Sequence, residues 1–429
     1  MTEILVSANQ AITRIALVED GVLRELMIEQ AQARSRVGDI YLGKVSRVMP
    51  GMDAAFVDLG TERAGFIHAS DISAIDSEGL EVRQEGLPIG DLVREGQYLL
   101  VQIVKDEISG KGARLSNHLT LPGRHLVLLP RSTHVGVSQK IVDEAERARL
   151  QQLLDESLSC SDWQGHDVGF IVRTAAAGAE LGDFEEDLGH LYRLWMKLTQ
   201  RLQRPASVRC IYSEEPIVVR ATRDLINPSV SKIRVDDEDV FSQLCAFFED
   251  TIPHAVALTQ LVSADEGLFS ASAGPKGSID QQIAAALRKT VDLPSGGNVV
   301  IEQTESMVTI DVNTGSYLGS RDQAATILTT NIEAAVAVAQ QLRLRNLGGL
   351  IVIDFIDMAQ TSHQEEVRQA LLNELSQDPA RTAVGRFSEF GLVEMTRKRS
   401  RESLQRLLQT ECEHCQGAGV ISSSEFTPC

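Results

Sequence analysis

Two short apolar runs, each carrying an aspartate near its carboxyl end, are the features that most constrain the fold of this chain. They span residues 306–313 and 348–355 and carry Asp311 and Asp354. Between them, residues 330–345 place apolar side chains at helical spacing. A strand, a helix and a strand in this order predict a βαβ unit, whose parallel strands are usually neighbours. Both aspartates are therefore expected at one edge of a sheet, where open α/β sheets place their active sites.

The aspartate pair is a candidate metal site. Two adjacent carboxylates repel each other unless a cation or a proton separates them, and hard oxygen ligands suit Mg²⁺ or Mn²⁺. Asn313 lies two residues beyond Asp311, so strand alternation turns it to the same face, where it could orient a phosphate oxygen or a water. The alternative is structural, because a strand-end aspartate often caps a turn or the next helix.

Length and composition exclude several classes of protein. The 429 residues are enough for two to four domains. No stretch approaches the ~20 apolar residues of a membrane span, and the first residues lack the pattern of a secretory signal. Six scattered cysteines fit a reducing cytoplasm without a disulfide framework. The net charge of −19 argues against a protein held to nucleic acid mainly by broad electrostatics.

One basic segment stands out from this acidic background. Residues 381–406 contain seven basic and three acidic residues, a local net charge of +4. A solvated helix face explains such a run when it stands alone. Its position before a cysteine pair also makes contacts with phosphates a reasonable expectation.

Changes in pattern along the chain divide it into six blocks. The first block alternates like strands with a turn near residues 19–21, the second is β-rich like a small barrel, the third mixes helix and strand, and the fourth is largely helical with a flexible-looking stretch at 270–277. The aspartates occupy the fifth block and the cysteine pair the sixth. The predicted bounds are 1–36, 37–117, 118–217, 218–285, 286–406 and 407–429.

Cys412 and Cys415 form a Cys-x-x-Cys knuckle followed by two glycines. Structural zinc takes four ligands, so one chain offers half a site, or three ligands if His414 joins. Two chains that donate one pair each would complete the site and form a two-fold dimer. A redox pair and two idle surface thiols are the alternatives, although no thioredoxin-like context surrounds the pair.

Two further groups of residues are candidates for RNA contacts. Phe56 and Phe66 stand out in the barrel-like block because aromatic residues form only 4% of the chain, and OB-type barrels stack bases on such rings beside a cation, here Lys111 or Lys44. Two ordinary core phenylalanines are the simpler interpretation. Arg173 and Thr174 end a predicted strand, where a guanidinium beside a hydroxyl suits a terminal phosphate, although such pairs are commonly just solvated.

Taken together, these features resemble the ribonuclease E/G family, in the family's order and over nearly the whole chain. The matching motifs are DAAFVD at 53–58 with GF at 65–66, GFIVRT at 169–174, IDVNTG at 310–315, RLRNLGG at 343–349, IVIDFIDM at 351–358 and EMTRKR at 394–399.

The resemblance implies an α+β fold of several subdomains. These are an RNase H-like subdomain (1–36 and 218–285) into which an S1-type OB domain (37–117) and a 5′-sensor (118–217) are inserted, then a DNase I-like subdomain (286–406) and a zinc-link tail. It implies a cytoplasmic endoribonuclease of rRNA processing and mRNA decay, which cuts single-stranded A/U-rich RNA and leaves a 5′-phosphate on the downstream product.

The resemblance also implies a role for each site residue. Asp311 and Asp354 would hold Mg²⁺ with the support of Asn313, and Cys412 and Cys415 would share Zn²⁺ between the subunits of a homodimer. The remaining roles are RNA binding by Phe56, Phe66 and Lys111, and recognition of a 5′-monophosphate by Arg173, Thr174 and the backbone near Val127.

Four departures from the family pattern limit the resemblance. We expect the small domain that follows the knuckle in the family to be missing, because the sequence ends at Cys429. Glu413 replaces the usual proline, Gln139 stands where one branch of the family has an arginine, and residues 270–277 differ from the family's usual segment. The main rival function is a non-catalytic RNA-binding or scaffold protein, and a metal-dependent DNA hydrolase is the second. Cleavage that requires Mg²⁺, on RNA and on matched DNA, discriminates among the three.

Overall fold

The computed structural model describes residues 1–30, 35–75, 81–82, 86–107, 112–141, 143–163, 166–263, 267–314, 323–399, 401–415 and 417. The chain begins with an antiparallel meander of three strands, β1 (Thr2–Ala8), β2 (Ile12–Glu19) and β3 (Val22–Gln30). Asp20 and Gly21 join β2 to β3 with positive φ angles of 49° and 77°, as a tight two-residue hairpin requires. The predicted turn at residues 19–21 is confirmed.

The second region is a closed five-stranded barrel. Its elements are β4 (Ile40–Met49), β5 (Ala54–Asp58), β6 (Gly65–His68), β7 (Ala74–Ile75), β8 (Glu81–Val82), α1 (Ile89–Leu92), β9 (Tyr98–Lys105) and β10 (Arg114–Ser116). The barrel strands follow the order β4-β5-β6-β10-β9, and β9 pairs with β4 to close the ring. Inward side chains such as Val45, Val57 and Ile67 form its core, as a small barrel needs.

A four-stranded sheet covered by two long helices follows the barrel. Its elements are β11 (Leu121–Pro122), β12 (Leu126–Pro130), β13 (Val135–Val137), α2 (Glu144–Ser159), β14 (Val168–Val172), α3 (Leu181–Leu202) and β15 (Arg209–Tyr212). The strand order is β11-β12-β14-β13, while β15 pairs with β4 and joins this region to the barrel. Leu150, Phe170 and Phe184 are buried between the sheet and the helices.

The region predicted to be largely helical also adds two strands to the first sheet. Its elements are α4 (Ile217–Leu225), β16 (Val230–Val235), α5 (Glu238–Thr251), α6 (Pro253–Val256), β17 (Thr259–Leu261), α7 (Leu268–Ala271), β18 (Ala273–Gly274), β19 (Gly277–Ser278) and α8 (Ile279–Ala286). The sheet order is β17-β16-β1-β2-β3. The stretch at 270–277, which looked flexible in the sequence, includes the end of α7 and a small hairpin of β18 and β19.

The last region is a six-stranded sheet covered on one face by two helices. Its elements are β20 (Thr290–Asp292), β21 (Asn298–Gln303), β22 (Met307–Asn313), α9 (Gln323–Leu344), β23 (Gly349–Asp354), α10 (Thr361–Leu375), β24 (Thr382–Phe387), β25 (Leu392–Arg397) and α11 (Leu404–Leu408). The order is β20-β21-β22-β23-β25-β24, with β22 and β23 parallel. The predicted βαβ unit is confirmed.

Alternation along β22 explains which face of this sheet is covered. Val308, Ile310 and Val312 are buried against α9 and α10, together with Ile351 and Ile353 of β23. Burying a side chain of this size stabilises the fold by about 1.5–3 kcal/mol. The residues between them, including the aspartates, face away from the helices. None of the described helices is long and apolar enough to cross a lipid bilayer.

Candidate active site

The two aspartates occupy equivalent positions on adjacent parallel strands. Asp311 of β22 is the direct register partner of Asp354 of β23, and neighbouring strands lie about 4.8 Å apart. Both side chains are exposed, because they lie on the face of the sheet opposite the buried residues. The geometry therefore brings two carboxylates together on a solvent-facing surface.

Asn313 lies on the same face, two residues beyond Asp311. Its Nδ2 donates a hydrogen bond of 2.7 Å to Asp311 Oδ2. This bond orients the Asp311 carboxylate through Oδ2, and among the described residues no hydrogen bond to Asp311 Oδ1 is seen. The predicted grouping of these three residues thus exists in the fold, with Asn313 directly in contact with one carboxylate.

A buried asparagine on α9 fixes the segment that follows Asp354. Asn331 donates from Nδ2 to the carbonyl of Ile356 at 2.8 Å and accepts from the Ile356 N–H at 3.0 Å. Asn331 is fully buried, so both bonds are shielded from water. Sequence reasoning missed this residue, although a polar side chain within the apolar stripe of a helix is the signal that could have found it.

The carboxylate pair fits the ligand habits of Mg²⁺. No described group of three or more His, Cys, Asp and Glu side chains is arranged to hold a metal ion. The site therefore supplies two carboxylates rather than a full protein cage. Mg²⁺ is usually held by one or two carboxylates, with waters and substrate phosphates completing its octahedron, so Asp311 and Asp354 have the right number and type of oxygens.

The two phenylalanines predicted to contact RNA lie side by side on the outside of the barrel. Phe56 of β5 is the register partner of Phe66 of β6, with ring centroids 6.0 Å apart. Their neighbours Ala55, Val57 and Ile67 point inward and form the core, so the interpretation as ordinary core residues was wrong. Both rings are half-buried and present partly open aromatic surface.

Two arginines that sequence reasoning missed flank this pair of rings. Arg47 of β4 is the register partner of Phe56, and Arg114 of β10 is the partner of Phe66. Both arginines are exposed. Lys44 lies instead near the ring of Tyr98, at 5.9 Å from its centroid, and Lys111 lies outside the described residues. Arg114 donates to Asp71 from Nε and Nη2, at 3.1 and 2.9 Å. Aromatic rings beside a cation are the arrangement that single-stranded nucleic acid binding uses.

The residues predicted to recognise a 5′-phosphate lie at and beside the end of β14. Arg173 donates from Nη1 to the carbonyls of Gly123 and Arg124 and to Asp224 Oδ1, at 2.6, 3.3 and 3.0 Å. In the described part of the chain the guanidinium of Arg173 donates through Nη1 alone, which leaves Nε and Nη2 for a ligand. Thr174 follows and is exposed.

Val127 belongs to the strand beside β14. It is the register partner of Ile171 and is half-buried. The backbone N–H groups of the three residues before it, from Arg124 to Leu126, all donate to the carboxylate of Asp187, at 2.8–2.9 Å. This buried carboxylate on α3 therefore fixes the loop whose carbonyl groups, at Gly123 and Arg124, accept hydrogen bonds from the Arg173 guanidinium.

Asp224 of α4 accepts a hydrogen bond from Arg173, a contact that sequence reasoning missed. Burial raises the pKa of Asp224, but the guanidinium groups of Arg223 and Arg173 outweigh this effect and hold the pKa below its ordinary value. Asp224 is therefore ionised at neutral pH and orients Arg173. A single acidic residue on a helix carries no sequence signal for this role.

A groove of about 880 Å³ lies between the four-stranded sheet that contains β13 and β14 and the residue before β24. Gln139 lines it, as do the cationic side chains of Lys140, Arg147 and Arg381. Gln139 therefore lies in a groove with three cationic side chains, whose lining among the described residues does not include Arg173 or Thr174.

The basic segment is not a solvated helix face. Its residues 382–387 and 392–397 form β24 and β25. Arg397 is buried and donates to both oxygens of the buried Asp378, at 2.7 and 3.0 Å, and to the carbonyl of Leu347. A phosphate contact expected of Arg397 is excluded by this burial, so at least one charge of the segment is structural.

The cysteine pair lies on a short turn after α11. The backbone N–H groups of Cys415 and His414 face the sulfur of Cys412 and lower the pKa of its thiol. Because the thiolate is the form that binds metals, this environment suits a metal ligand. Within the described residues the knuckle still offers only half of a four-ligand zinc site.

Comparisons with known proteins agree with this geometry. The sequence model described as "Ribonuclease E/G family" matches residues 120–400, and the S1 RNA binding domain matches residues 34–116. Ribonuclease G of Salmonella typhimurium (strain SL1344) is 43% identical over 99% of this chain and 85% of its own length.

Two proteins of Haemophilus influenzae also match 99% of the chain. Its ribonuclease G is 44% identical over 84% of its own length, and its ribonuclease E is 36% identical over 44% of its own length. Family matches that cover most of the chain, together with identities of this size, place it within one family. The chain belongs to the ribonuclease E/G family.

Proposed function

We propose that this chain is a Mg²⁺-dependent endoribonuclease that cleaves single-stranded, A/U-rich RNA, prefers a 5′-monophosphate, and acts in rRNA processing and mRNA decay in the cytoplasm. The observation that carries the proposal is the direct pairing of Asp311 with Asp354 on adjacent parallel strands. Membership in the ribonuclease E/G family supports the activity, and the geometry supports its location.

The residues of the pair have separate tasks in this proposal. Asp311 and Asp354 hold the divalent cation, and Asn313 keeps the Asp311 carboxylate turned toward it through the 2.7 Å hydrogen bond. A bound Mg²⁺ supplies activation of water for in-line attack and neutralises charge on the cleaved phosphate. Asn331 fixes the segment after Asp354, so that the carboxylate does not need to be ordered when RNA arrives.

The barrel surface supplies affinity for an unpaired strand. Phe56 and Phe66 offer stacking surfaces, and Arg47 lies beside them for the phosphates. Arg114, on the other side, is ion-paired with Asp71. Stacking on an aromatic ring contributes about 1–3 kcal/mol per base and needs the base to be unpaired. We include Lys111 in this surface on the family resemblance alone. Preference for A/U-rich strands follows from the lower cost of opening them and also rests on the resemblance.

The sensor proposal rests on the way Arg173 is held. Asp224 and two carbonyl groups fix its Nη1, so its remaining N–H groups are presented in one orientation beside Thr174. A phosphate accepts such parallel hydrogen bonds well, and the backbone near Val127 borders the site. We assign recognition of the 5′-monophosphate to these residues.

We further propose that Cys412 and Cys415 share one Zn²⁺ with the same pair of a second subunit and so stabilise a homodimer. The lowered thiol pKa of Cys412 supports metal binding, and two ligands per chain favour a site shared across a two-fold axis. The division into RNase H-like, 5′-sensor and DNase I-like subdomains is part of the same proposal.

One assay tests the catalytic proposal. Fluorogenic single-stranded RNA and its DNA counterpart are incubated with the purified protein in Mg²⁺, and again after EDTA. We expect cleavage of RNA that stops with EDTA and returns with added Mg²⁺. RNA binding without cleavage would instead support a scaffold protein, and equal cleavage of the DNA would support a general nuclease.

The sensor has its own test. A substrate with a 5′-monophosphate should be cleaved faster than its 5′-hydroxyl twin, and Arg173→Ala should make the two rates equal. Arg131→Ala is the matched control, because Arg131 follows β12 of the same sheet. Equal rates for the two substrates with the parent protein would remove the sensor from the proposal.

A further inference from the structure

One phenylalanine in the turn between β24 and β25 has no place in the packing of the protein. Phe390 is 86% exposed. Every other phenylalanine that the structure describes is buried or half-buried. Phe387, three residues earlier in the same hairpin, packs against Phe355 with ring centroids 5.7 Å apart. Scattered exposed apolar residues are common, so the position of Phe390 is what decides its meaning.

The hairpin that carries Phe390 ends at the carboxylate edge of the sheet. Phe390 lies in the turn between β24 and β25, and Leu392 at the start of β25 is the register partner of Asp354. Antiparallel partners have Cα atoms about 4.5–5.5 Å apart, and two residues span at most about 7 Å. The Cα atom of Phe390 therefore lies within about 12 Å of the Asp354 Cα.

Hydrogen bonds between residues 388, 391 and 392 close the turn and restrain the backbone that carries the ring. Ser388 N–H donates to the Leu392 carbonyl at 2.8 Å, and Gly391 N–H donates to the Ser388 carbonyl at 3.0 Å. The Ser388 hydroxyl also accepts from the Leu392 N–H. Gly391 has φ of 80°, which glycine adopts without strain.

The same turn packs beside the segment that Asn331 fixes. A Cβ atom at Gly391 would lie 3.5 Å from Asp357 Oδ1, so the turn contacts the loop that leaves Asp354. The base of the ring is thus anchored from two sides, to β25 and to the loop after β23. The ring of Phe390 projects into solvent beside the exposed side chain of Glu389.

We infer that Phe390 is a base-binding subsite of the active site, which stacks on an unpaired nucleobase next to the phosphate that is cleaved. The inference rests on the proposed function, because it needs a single RNA strand to cross the carboxylate pair. Every base presents a π-face, so one exposed ring can hold a strand without reading its sequence. Phe390 would then position the strand at the cleavage point, while Phe56 and Phe66 hold it on the barrel.

Three substitutions separate stacking from general apolar contact. Phe390→Ala should raise KM for a short single-stranded RNA about tenfold, the effect of one lost stacking contact. Phe390→Trp should keep the parent KM, and Phe390→Leu should behave like alanine because it is apolar but has no flat ring. Met196→Ala, at an exposed apolar residue of α3, is the control and should change nothing.

A scan of the substrate locates the contact. An abasic nucleotide placed in turn at each position should raise KM for the parent most at one position beside the cleavage point. With Phe390→Ala that penalty should disappear, while the penalties at other positions persist. Loss of the same penalty in Phe390→Leu but not in Phe390→Trp would support stacking further.

Binding of the same RNA by fluorescence anisotropy in EDTA keeps this test independent of cleavage. If the parent cleaves RNA and Phe390→Ala has the parent KM and affinity, the subsite is wrong while the proposed function stands. If the parent does not cleave, the proposed function fails, and the inference fails with it. If Phe390→Ala changes the sedimentation of the protein but not its RNA affinity, Phe390 is a protein contact and the inference is overturned.

Discussion

The hydrogen bond from Asn313 to Asp311 allows a quantitative prediction about metal binding. In Asn313→Ala the Asp311 carboxylate loses the donor that orients it at 2.7 Å. Hydrogen bonds to charged groups contribute about 1.5–3 kcal/mol. Loss of such a second-layer contact typically costs about 10–100-fold in metal affinity or activity, equivalent to about 1.4–2.7 kcal/mol. The two estimates agree, so we expect the Mg²⁺ midpoint for activity to rise about 10- to 100-fold.

The assay is a titration of the initial cleavage rate with Mg²⁺ at constant ionic strength, on a fluorogenic single-stranded RNA. Calorimetric titration of Mn²⁺ into the protein without RNA measures the same change without cleavage. Asn298→Ala is the matched control, because Asn298 is the register partner of Asn313 on β21 and no bond to Asp311 is described for it. A Mg²⁺ midpoint for Asn313→Ala equal to that of the parent would refute the reasoning, as would an equal shift in the control.

Three further predictions concern the rest of the molecule. Asp378→Ala leaves the buried guanidinium of Arg397 without its carboxylate, so the free energy of unfolding in urea should fall by about 3–5 kcal/mol. An unfolding midpoint equal to the parent's would contradict the importance of this buried pair. Elemental analysis should find about one zinc per two chains, and Cys412→Ser should lose the zinc and sediment as a monomer; zinc retained in that variant excludes the proposed ligand. The preference for a 5′-monophosphate should grow between about pH 5 and 7 as the phosphate takes its second charge near pH 6, and a fall over that range would contradict the sensor.

The lowered pKa of Asp224 removes this residue as a source of pH dependence in the last prediction. Its folded-state pKa is lowered, so its contribution is present above the unfolded value of about 3.9 and is lost only as the pH falls through the lower, folded value. Asp224 therefore stays ionised from pH 5 to 7 and continues to orient Arg173. Any change in preference over that range comes from the phosphate itself or from another group.

Sequence reasoning predicted the parts of the site that depend on local pattern. The alternation of β22, the helical stripe of α9 and the apolar run of β23 predicted a βαβ unit. Because the parallel strands of such a unit are usually adjacent, Asp311 was expected beside Asp354. Asn313 followed from alternation alone. These predictions succeeded because each depends on residues close together in the chain and on one general rule of connection.

Other parts depend on contacts between distant segments. Strand β16 pairs with β1, although more than two hundred residues separate them in the chain. The local sequence of either strand therefore does not predict that the two are neighbours. The burial of Arg397 depends on Asp378 and on the backbone of Leu347. A charge count over one segment could not distinguish this structural arginine from one that contacts phosphate.

The RNA-binding surfaces show the same division. Phe56 and Phe66 were recognised because aromatic residues are scarce. Their side chains point outward because their neighbours along β5 and β6 fill the barrel interior, which depends on how the sheet closes. Arg47, Arg114 and Asp224 are ordinary charged residues in the sequence. They become candidates only when the fold places them beside a ring or a guanidinium.

The most direct measurement of the central claim is single-turnover cleavage of one RNA by Asp311→Asn and by Asp354→Asn in Mg²⁺, with RNA binding measured in EDTA. Each substitution keeps the size of the side chain and removes one charge from the pair. We predict that each lowers the cleavage rate by about 100-fold or more, while binding is retained because the barrel supplies the affinity. Cleavage at the parent rate by either variant would contradict the claim that these two carboxylates form the reaction centre.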